Sequence, residues 1–433
     1  MAWEIGAQNP LLKEDVNSRL SEVKGYLEDK DAKLWLHDFF KENTQFAVDV
    51  LMGVELFPFQ SMMIKSMMKS DYFLGILGRG SSKCEKWDNL IWTDNGLKRM
   101  IDVEVGDYVQ SVRGRNLVLD RAINPKDTTY QLKTTHGLIS EGLDYHRVLR
   151  LNPETLEKEW VFSKDVNVGD FLVCRKGEGF WSEPNDIFAD FNYIPAKNSN
   201  NCRSVSPYNA TLEEWYYFFG LLIGDGHIHK PGVSVETADE KTINFLTYFF
   251  QKIGLTVRVG ENPDSKSKTV ICNSVALIAL LKNIGFTFDL AHSKIIPFSL
   301  LKCNEKCAAQ LLRGLFDTDG HCSVTERKEK NSVTVQVGFS SSSFDLCSQV
   351  RNLLLNFDIT SSTRLHFKGG KMKFPNQKEY NCKPAWAIDI SGYNNVLKFR
   401  EKVGFGLSRK NEKLLFLGNK YSSGEFSDYI PFI

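Results

Sequence analysis

A chain of 433 residues has room for two to four domains, and its 42% hydrophobic and 25% charged residues are those of a water-soluble protein able to fill several cores. Its 54 basic and 53 acidic residues leave a formal net charge of +1, so no global basic excess marks a polyanion binder and any basic surface has to be local. No apolar run approaches the roughly 18 residues of a membrane span, the N-terminus shows no apolar leader, and the nine Cys are odd in number and lack C-x-x-C pairs, which speaks against a disulfide scaffold or zinc finger and suits a reducing cytoplasm.

Residues 1–83 open with helical spacing (Leu20, Val23, Leu27, then Leu34, Leu36, Phe39, Phe40), so this fragment is expected to be mainly α, closing in a strand-like run at Tyr72 to Leu77. Residues 84–185 read as short strands separated by turn residues: Leu90 to Thr93, the turn Asp94-Asn95-Gly96, then Tyr108-Val109, Tyr130 to Thr134, His146 to Leu151 and Phe171 to Val173. That pattern predicts an all-β unit. Residues 186–207 are rich in Asn, Ser and Pro, as in a linker.

Residues 208–433 contain an internal repeat, about 208–303 and 304–420. Each copy predicts a helix, two strands, a helix, two strands and a helix. The first helix ends in Phe219-Gly-Leu-Leu-Ile-Gly-Asp-Gly-His227 in one copy and Leu312-Arg-Gly-Leu-Phe-Asp-Thr-Asp-Gly-His321 in the other. Thr211 and Glu214 have capping-box spacing before the first of these. Gly226 and Gly320 suit helix ends with positive φ. The second copy is longer, with an insertion around Lys368 to Lys378.

The two segments Phe218–Gly226 and Leu312–Gly320 resemble the motifs of the LAGLIDADG homing endonucleases. The resemblance implies an α+β pseudo-two-fold domain of two αββαββα-like repeats, monomeric, whose motif helices pack at the centre through Gly220 and Gly314. It makes Asp225 and Asp319 the catalytic, metal-holding acids, acting on double-stranded DNA with Mg2+ or Mn2+. The chemistry fits, because hard divalent cations take one or two carboxylates and supply the charge neutralisation that phosphodiester hydrolysis needs. Lys294 and Lys410, each following the last helix of its repeat, match positions where related proteins place a lysine near the reacting phosphate. Lys266, Lys268, Arg327, Lys328, Arg364, His366 and Lys368 suit phosphate contacts.

Residues 84–185 resemble the N-terminal part of an intein, a Hint-type splicing domain. The likeness begins at Cys84-Glu-Lys-Trp and runs through Ile101 to Val109, Gly142 to Leu149 and Trp160 to Leu172. It implies that the Cys84 thiol attacks the Lys83–Cys84 bond, with His146 polarising the amide. Leu143 stands where the family usually has Thr. Inteins end in a His-Asn pair, which Ser427 to Ile433 lacks, so a single chain is not expected to complete splicing: either a separate C-terminal polypeptide is its partner, or the reading frame is truncated, or splicing has decayed and only the nuclease is maintained. Residues 1–83 are then a host fragment. Its end, Gly75 to Lys83, with Gly78, Gly80 and Lys83 as phosphate-binding residues, resembles the divergent phosphate loop of phage terminase large subunits, as does Leu56 to Gln60 upstream. The competing readings are a LAGLIDADG-fold protein that binds DNA without cutting it, and a bare packaging ATPase. Two retained acids argue against the first, and the missing motor residues downstream argue against the second.

Overall fold

The computed structural model describes residues 85–417, apart from 112–113, 122, 124–127, 138, 175, 178, 184–185, 195–203, 262–265, 288–289, 328–331 and 374–378. Fragment 1–83 with Gly78, Gly80 and Lys83, as well as Cys84, lies outside the described residues.

Residues 85–183 hold strands, turns and two short 3-10 segments. Strands β1 (Leu90–Thr93) and β2 (Gly96–Arg99) form a hairpin whose turn needs a glycine, since Gly96 has φ +87°. The Thr93 hydroxyl locks that turn, donating to the Gly96 carbonyl and accepting from Asn95 N–H. With β3 (Tyr108–Ser111) and β4 (Gly114–Leu117) they make a sheet in the order β2-β1-β3-β4. Strands β5 (Thr129–Lys133) and β6 (Ile139–Leu143) pair with each other. Strands β7 (Arg147–Leu151), β8 (Lys158–Phe162) and β9 (Phe171–Leu172) form a third sheet, ordered β8-β7-β9.

From Leu212 the chain lays down one element series twice. The first is α1 (Leu212–Gly224), β10 (Gly226–Ile228), β11 (Gly232–Thr237), α2 (Glu240–Lys252), β12 (Arg258–Glu261), β13 (Lys268–Asn273) and α3 (Val275–Ile284). The second is α4 (Glu305–Thr318), β14 (Gly320–Arg327), β15 (Ser332–Ser341), α5 (Phe344–Asn356), β16 (Ser362–Phe367), β19 (Ala385–Ile390) and α6 (Tyr393–Lys402), then the short α7 (Ser408–Leu414). The extra length of the second series is a hairpin of β17 (Gly370–Lys373) and β18 (Glu379–Cys382). Sheet orders correspond: β10-β11-β13-β12 and β14-β15-β19-β16, antiparallel throughout.

Alternation explains how each sheet sits. Val233, Val235, Val270 and Cys272 in one, and Val335, Val337, Phe339, Ile388 and Ile390 in the other, are buried against the helices, while the intervening residues face outward. Helix starts are chemically marked. Thr211 and Glu214 form the full capping box, and Asn304, Ser274 and Ser343 each accept the backbone N–H three residues on. Inside the 186–207 stretch, Ile187 and Phe188 are buried, and the Phe188 ring lies 5.1 Å from Trp215, so this segment starts on a hydrophobic anchor.

The β-rich region packs on both repeats: Ser182 N–H donates to the Cys303 carbonyl at 3.2 Å, and a Cβ at Gly96 would stand 2.3 Å from the Leu301 carbonyl oxygen. Phe180 N–H donates to the Asn356 side-chain oxygen at 2.8 Å, and Thr363 N–H donates to the His136 carbonyl at 2.8 Å. Trp181 lies between Trp92 and Phe357, with centroids 6.2 and 4.6 Å away.

Helices α1 and α4 pack backbone to backbone. A Cβ added at Gly220 would stand 2.3 Å from the Leu311 carbonyl oxygen, and one at Gly314 would stand 2.5 Å from that of Tyr217. Both are glycines because the crossing leaves no room for any side chain. Gly226 and Gly320 depart from the expected helix-end dihedral: neither has positive φ, and each begins a strand. They are required by space, since a Cβ at either would lie within 2.3 and 2.5 Å of the Leu222 and Phe316 carbonyl oxygens, respectively. Gly314→Ala is therefore expected to lower unfolding free energy by about 2–4 kcal/mol, at or above the usual range for overpacking, because backbone cannot yield as a side chain can. Gly260→Ala, with its nearest neighbour 3.8 Å away, should change it by under about 1 kcal/mol in the same denaturant titration.

Candidate active site

The helix crossing sets the position of the acids. Four residues beyond each crossing glycine the helices still touch, and a Cβ on Gly224 would overlap the Thr318 hydroxyl. Equal offsets in both helices mean that they run in the same sense here. The next residues, Asp225 and Asp319, are the two C-caps, with backbone N–H groups bonded to Leu221 and Leu315. Both carboxylates therefore leave the same end of the helix pair.

The two lysines arrive at this end from sequence-distant segments. Lys294 Nζ donates to the carbonyls of Ile223 (2.8 Å), Gly224 (2.7 Å) and Gly226 (3.3 Å). Lys410 Nζ donates to those of Phe316 (2.9 Å), Asp317 (2.7 Å), Thr318 (3.4 Å) and Gly320 (2.5 Å). Residues 223, 224 and 226 correspond to 317, 318 and 320, so the lysines are pseudo-symmetry mates. Each caps the last carbonyls of a motif helix, where the macrodipole favours a cation.

The charges perturb one another. Burial, then the neighbouring Asp225 charge, pushes Asp319 up to about 6, against the opposing pull of Lys294 and Lys410. Burial also raises Asp225, again against both lysines. Burial pulls Lys410 down to about 8 and lowers Lys294, while the carboxylates work in the opposite direction. Among the described residues no group of three or more His, Cys, Asp and Glu side chains could hold a metal ion. Two convergent carboxylates suit Mg2+ or Mn2+, which keep water ligands and share phosphate oxygens, and they do not suit an all-protein cage. Asp319, raised first by burial and then by Asp225, stands where added positive charge favours the ionised form.

The outward face of each sheet continues from the acids. His227, Ser234, Thr269 and Asn273 line one, and His321, Ser323, Thr334, Gln336 and Arg364 line the other. Two of the basic residues singled out in the sequence are tied to carboxylates: Lys268 to Glu240 (2.8 Å) and Arg364 to Asp389 (2.7 Å), the latter guanidinium also reaching His366. Lys328 lies outside the described residues. In the β-rich region His146 is buried, and its Nε2 lies 3.3 Å from Glu85 Oε1. Glu85 bridges to Gly142, which brings the residue after Cys84 to His146.

Sequence reasoning passed over Asp317, Tyr217 and Gln349. Asp317 is 4% exposed and accepts from Tyr217 O–H at 2.8 Å and from the Gly406 and Leu407 N–H groups. Gln349, 2% exposed, exchanges two hydrogen bonds with the Ile296 backbone. A visible signal existed: each is a polar residue on the apolar face of its helix.

The sequence profile of the LAGLIDADG-like domain matches residues 306–404, from α4 to just past α6. Among curated proteins the chain is 25% identical over 292 residues to the replication factor C small subunit of Methanocaldococcus jannaschii, covering 67% of this chain and 13% of that protein. It is 26% identical over 316 residues to DNA-directed RNA polymerase subunit Rpo1C of the same organism, covering 70% and 33%. It is 22% identical over 335 residues to ribonucleoside-diphosphate reductase NrdEB subunit alpha of Bacillus subtilis, covering 72% and 28%. The chain thus spans a third or less of the length of these relatives. Similar solved structures include homing endonuclease I-DmoI in complex with DNA and Ca (TM-score 0.29, 13% identity, 44% of this chain and 89% of that one). Another is full-length DUF199/WhiA from Thermatoga maritima (TM-score 0.31, 12% identity, 50% and 66%). No helix among the described residues is long and apolar enough to cross a membrane.

Ionised Asp319 costs stability. A carboxyl at about 6 in the folded state and near its ordinary value when unfolded carries no penalty below about pH 4 and the full penalty above about pH 6. Asp319→Asn without metal should therefore raise unfolding free energy by about 1–2 kcal/mol at neutral pH. That is less than the roughly 3 kcal/mol ceiling for a two-unit shift, because one side of the group faces solvent. Chemical denaturation should show the gain vanishing as pH falls below about 4.

Proposed function

We propose that residues 208–433 cut both strands of a specific double-stranded DNA site, using Mg2+ or Mn2+ held by Asp225 and Asp319. The observation that carries this reading is the convergence of two carboxylates and two helix-capping lysines at one end of a glycine-crossed helix pair. Pseudo-symmetry suits a duplex, whose strands present scissile phosphates related by an approximate two-fold axis. The metal, when bound, neutralises charge on the phosphate and lowers the pKa of an attacking water. The protein's own contribution is placement. The two acids are fixed as helix caps, the lysine ammonium groups stand beside them, and the outward sheet faces offer hydroxyl, amide, imidazole and guanidinium groups to base edges and phosphates.

The β-rich region is read as a Hint-type intein segment within an insertion element. Two observations support it. Glu85, the neighbour of Cys84, contacts buried His146, as an amide-polarising histidine at a Lys83–Cys84 junction requires. The curated relatives bear names of different activities while sharing a partial segment with this chain, which is how a mobile insertion distributes itself among hosts. Residues 1–83 would then be the interrupted N-terminal part of a phage terminase-like ATPase, with Gly78, Gly80 and Lys83 its divided phosphate loop. With Cys84 in the slot after Lys83 where such a loop needs a Mg2+-binding Ser or Thr, the chain itself is not expected to turn over ATP.

Incubated with a randomised duplex library and Mg2+, the chain should make double-strand breaks in a discrete subset of sequences. EDTA, Asp225→Asn or Asp319→Asn should slow cleavage by about a hundredfold or more, since loss of Lewis-acid stabilisation removes several kcal/mol. Duplex binding with no cutting at any metal concentration would leave the binding-only alternative in possession. Separately, a small thiol at mildly alkaline pH should release residues 1–83, as seen by mass spectrometry. Cys84→Ala and His146→Ala should block release, and an intact wild-type chain after prolonged incubation would reject the splicing-type assignment.

A further inference from the structure

We infer that Gln349 and Asp317 are positioning residues, each fixing one of the two lysines against the acid pair, so that the two strand cuts are separately controlled. This rests on the DNA-cleaving function proposed for residues 208–433.

Lys294 lies in no strand or helix, and Lys410 sits on the seven-residue α7, which Lys413 also ties to the Cys322 carbonyl at 3.0 Å. Lys294 follows a 3-10 turn (Ala291–Ser293) in extended backbone, and a second 3-10 turn (Phe298–Leu301) begins four residues later. Between them, the Ile296 N–H donates to Gln349 Oε1 at 2.8 Å and Gln349 Nε2 donates back to the Ile296 carbonyl at 2.9 Å. The amide acts as a one-residue strand partner, fully buried, and it comes from α5 of the second repeat to a lysine segment of the first. Lys410 lies four residues beyond Gly406, whose N–H donates to both oxygens of Asp317 at 3.0 Å, with Leu407 N–H at 3.2 Å and Tyr217 O–H at 2.8 Å completing the set. A Cβ at Gly406 would stand 2.5 Å from Asp317 Oδ2 and 2.8 Å from the Tyr217 hydroxyl oxygen. Only a glycine lets the loop come this close.

Helix packing alone does not ask for these groups. Ile223, apolar, occupies the place in α1 that Asp317 occupies in α4. The two pins are chemically different although the lysines they serve are equivalent, and each depends on the opposite repeat: Gln349 by origin, Asp317 through Tyr217 of α1. Releasing one pin frees one lysine segment and leaves the other fixed. Misplacing a catalytic group by about 1 Å costs roughly a hundredfold in rate.

The test uses the full-length chain and a supercoiled plasmid bearing a site recovered from the library, with each strand end-labelled in turn. Lys294→Met and Lys410→Met first show which strand each lysine serves. Gln349→Leu should slow the Lys294 strand relative to the other by at least about tenfold, accumulating nicked plasmid. Asp317→Asn and Gly406→Ala should slow the Lys410 strand instead. Because both rates come from one preparation, the folded fraction cancels from their ratio, so loss of stability cannot imitate the result. Equal slowing of both strands, or bias toward the wrong strand, overturns the inference while leaving cleavage standing. A wild-type chain that cuts neither strand overturns the cleavage reading itself, and the inference with it.

Discussion

Two helices meet with no side chain between their backbones at Gly220 and Gly314, and the placement of every charged group around the site depends on that contact. Such an approach brings helix axes closer than any larger residue allows. It also fixes relative rotation, because only one face of each helix is bare. The apolar flanks, Trp215, Phe218 and Phe219 on α1 and Leu311, Leu315 and Phe316 on α4, are then buried in one continuous core. The caps at the far end have no freedom left, and Asp225 and Asp319 emerge side by side.

What gathers there is an excess of negative charge. Two carboxylates coincide with two helix C-termini, each worth about half a negative charge. Two ammonium groups offset part of this, leaving about one negative charge at the shared end. The balance accounts for both directions of perturbation: Asp319 is raised because burial and its twin oppose ionisation, and Lys410 is lowered because burial outweighs its carboxylate neighbours. A site in this condition is complementary to a small divalent cation. The lysines close helix ends that would otherwise present unsatisfied carbonyls.

The pseudo-symmetry is accurate in the scaffold and loose at its periphery. Strand order, helix order and lysine capping recur, while the second repeat adds the β17–β18 hairpin and α7, and supports the β-rich region through Asn356, Phe357 and Thr363. The β-rich region meets the two repeats through different segments, Leu301 and Cys303 in one and Asn356 and Thr363 in the other, which makes the two halves unequal in surroundings although alike in design.

The repeats, the helix start at Thr211 and the candidate acids and lysines were legible in the sequence alone, because these depend on local signals. A period of hydrophobic residues, a Thr-x-x-Glu cap, and Gly-Asp-Gly or Thr-Asp-Gly after an apolar helix are all readable within ten residues. Strands such as Lys158–Phe162 are not legible in this way, since exposed edge strands bury too little to alternate clearly. At Gly226 and Gly320 the local pattern suggests a dihedral role, whereas their constraint is steric, imposed by the preceding helical turn. Only the tertiary structure decided that Lys294 and Lys410 cap opposite helices of one pair, and that Gln349 and Asp317 hold the segments bearing them. Those partners are separated by 53 residues and more along the chain. No local pattern encodes them, because a buried hydrogen bond is specified by which backbone groups packing leaves unpaired, and packing is settled only when the whole fold has formed.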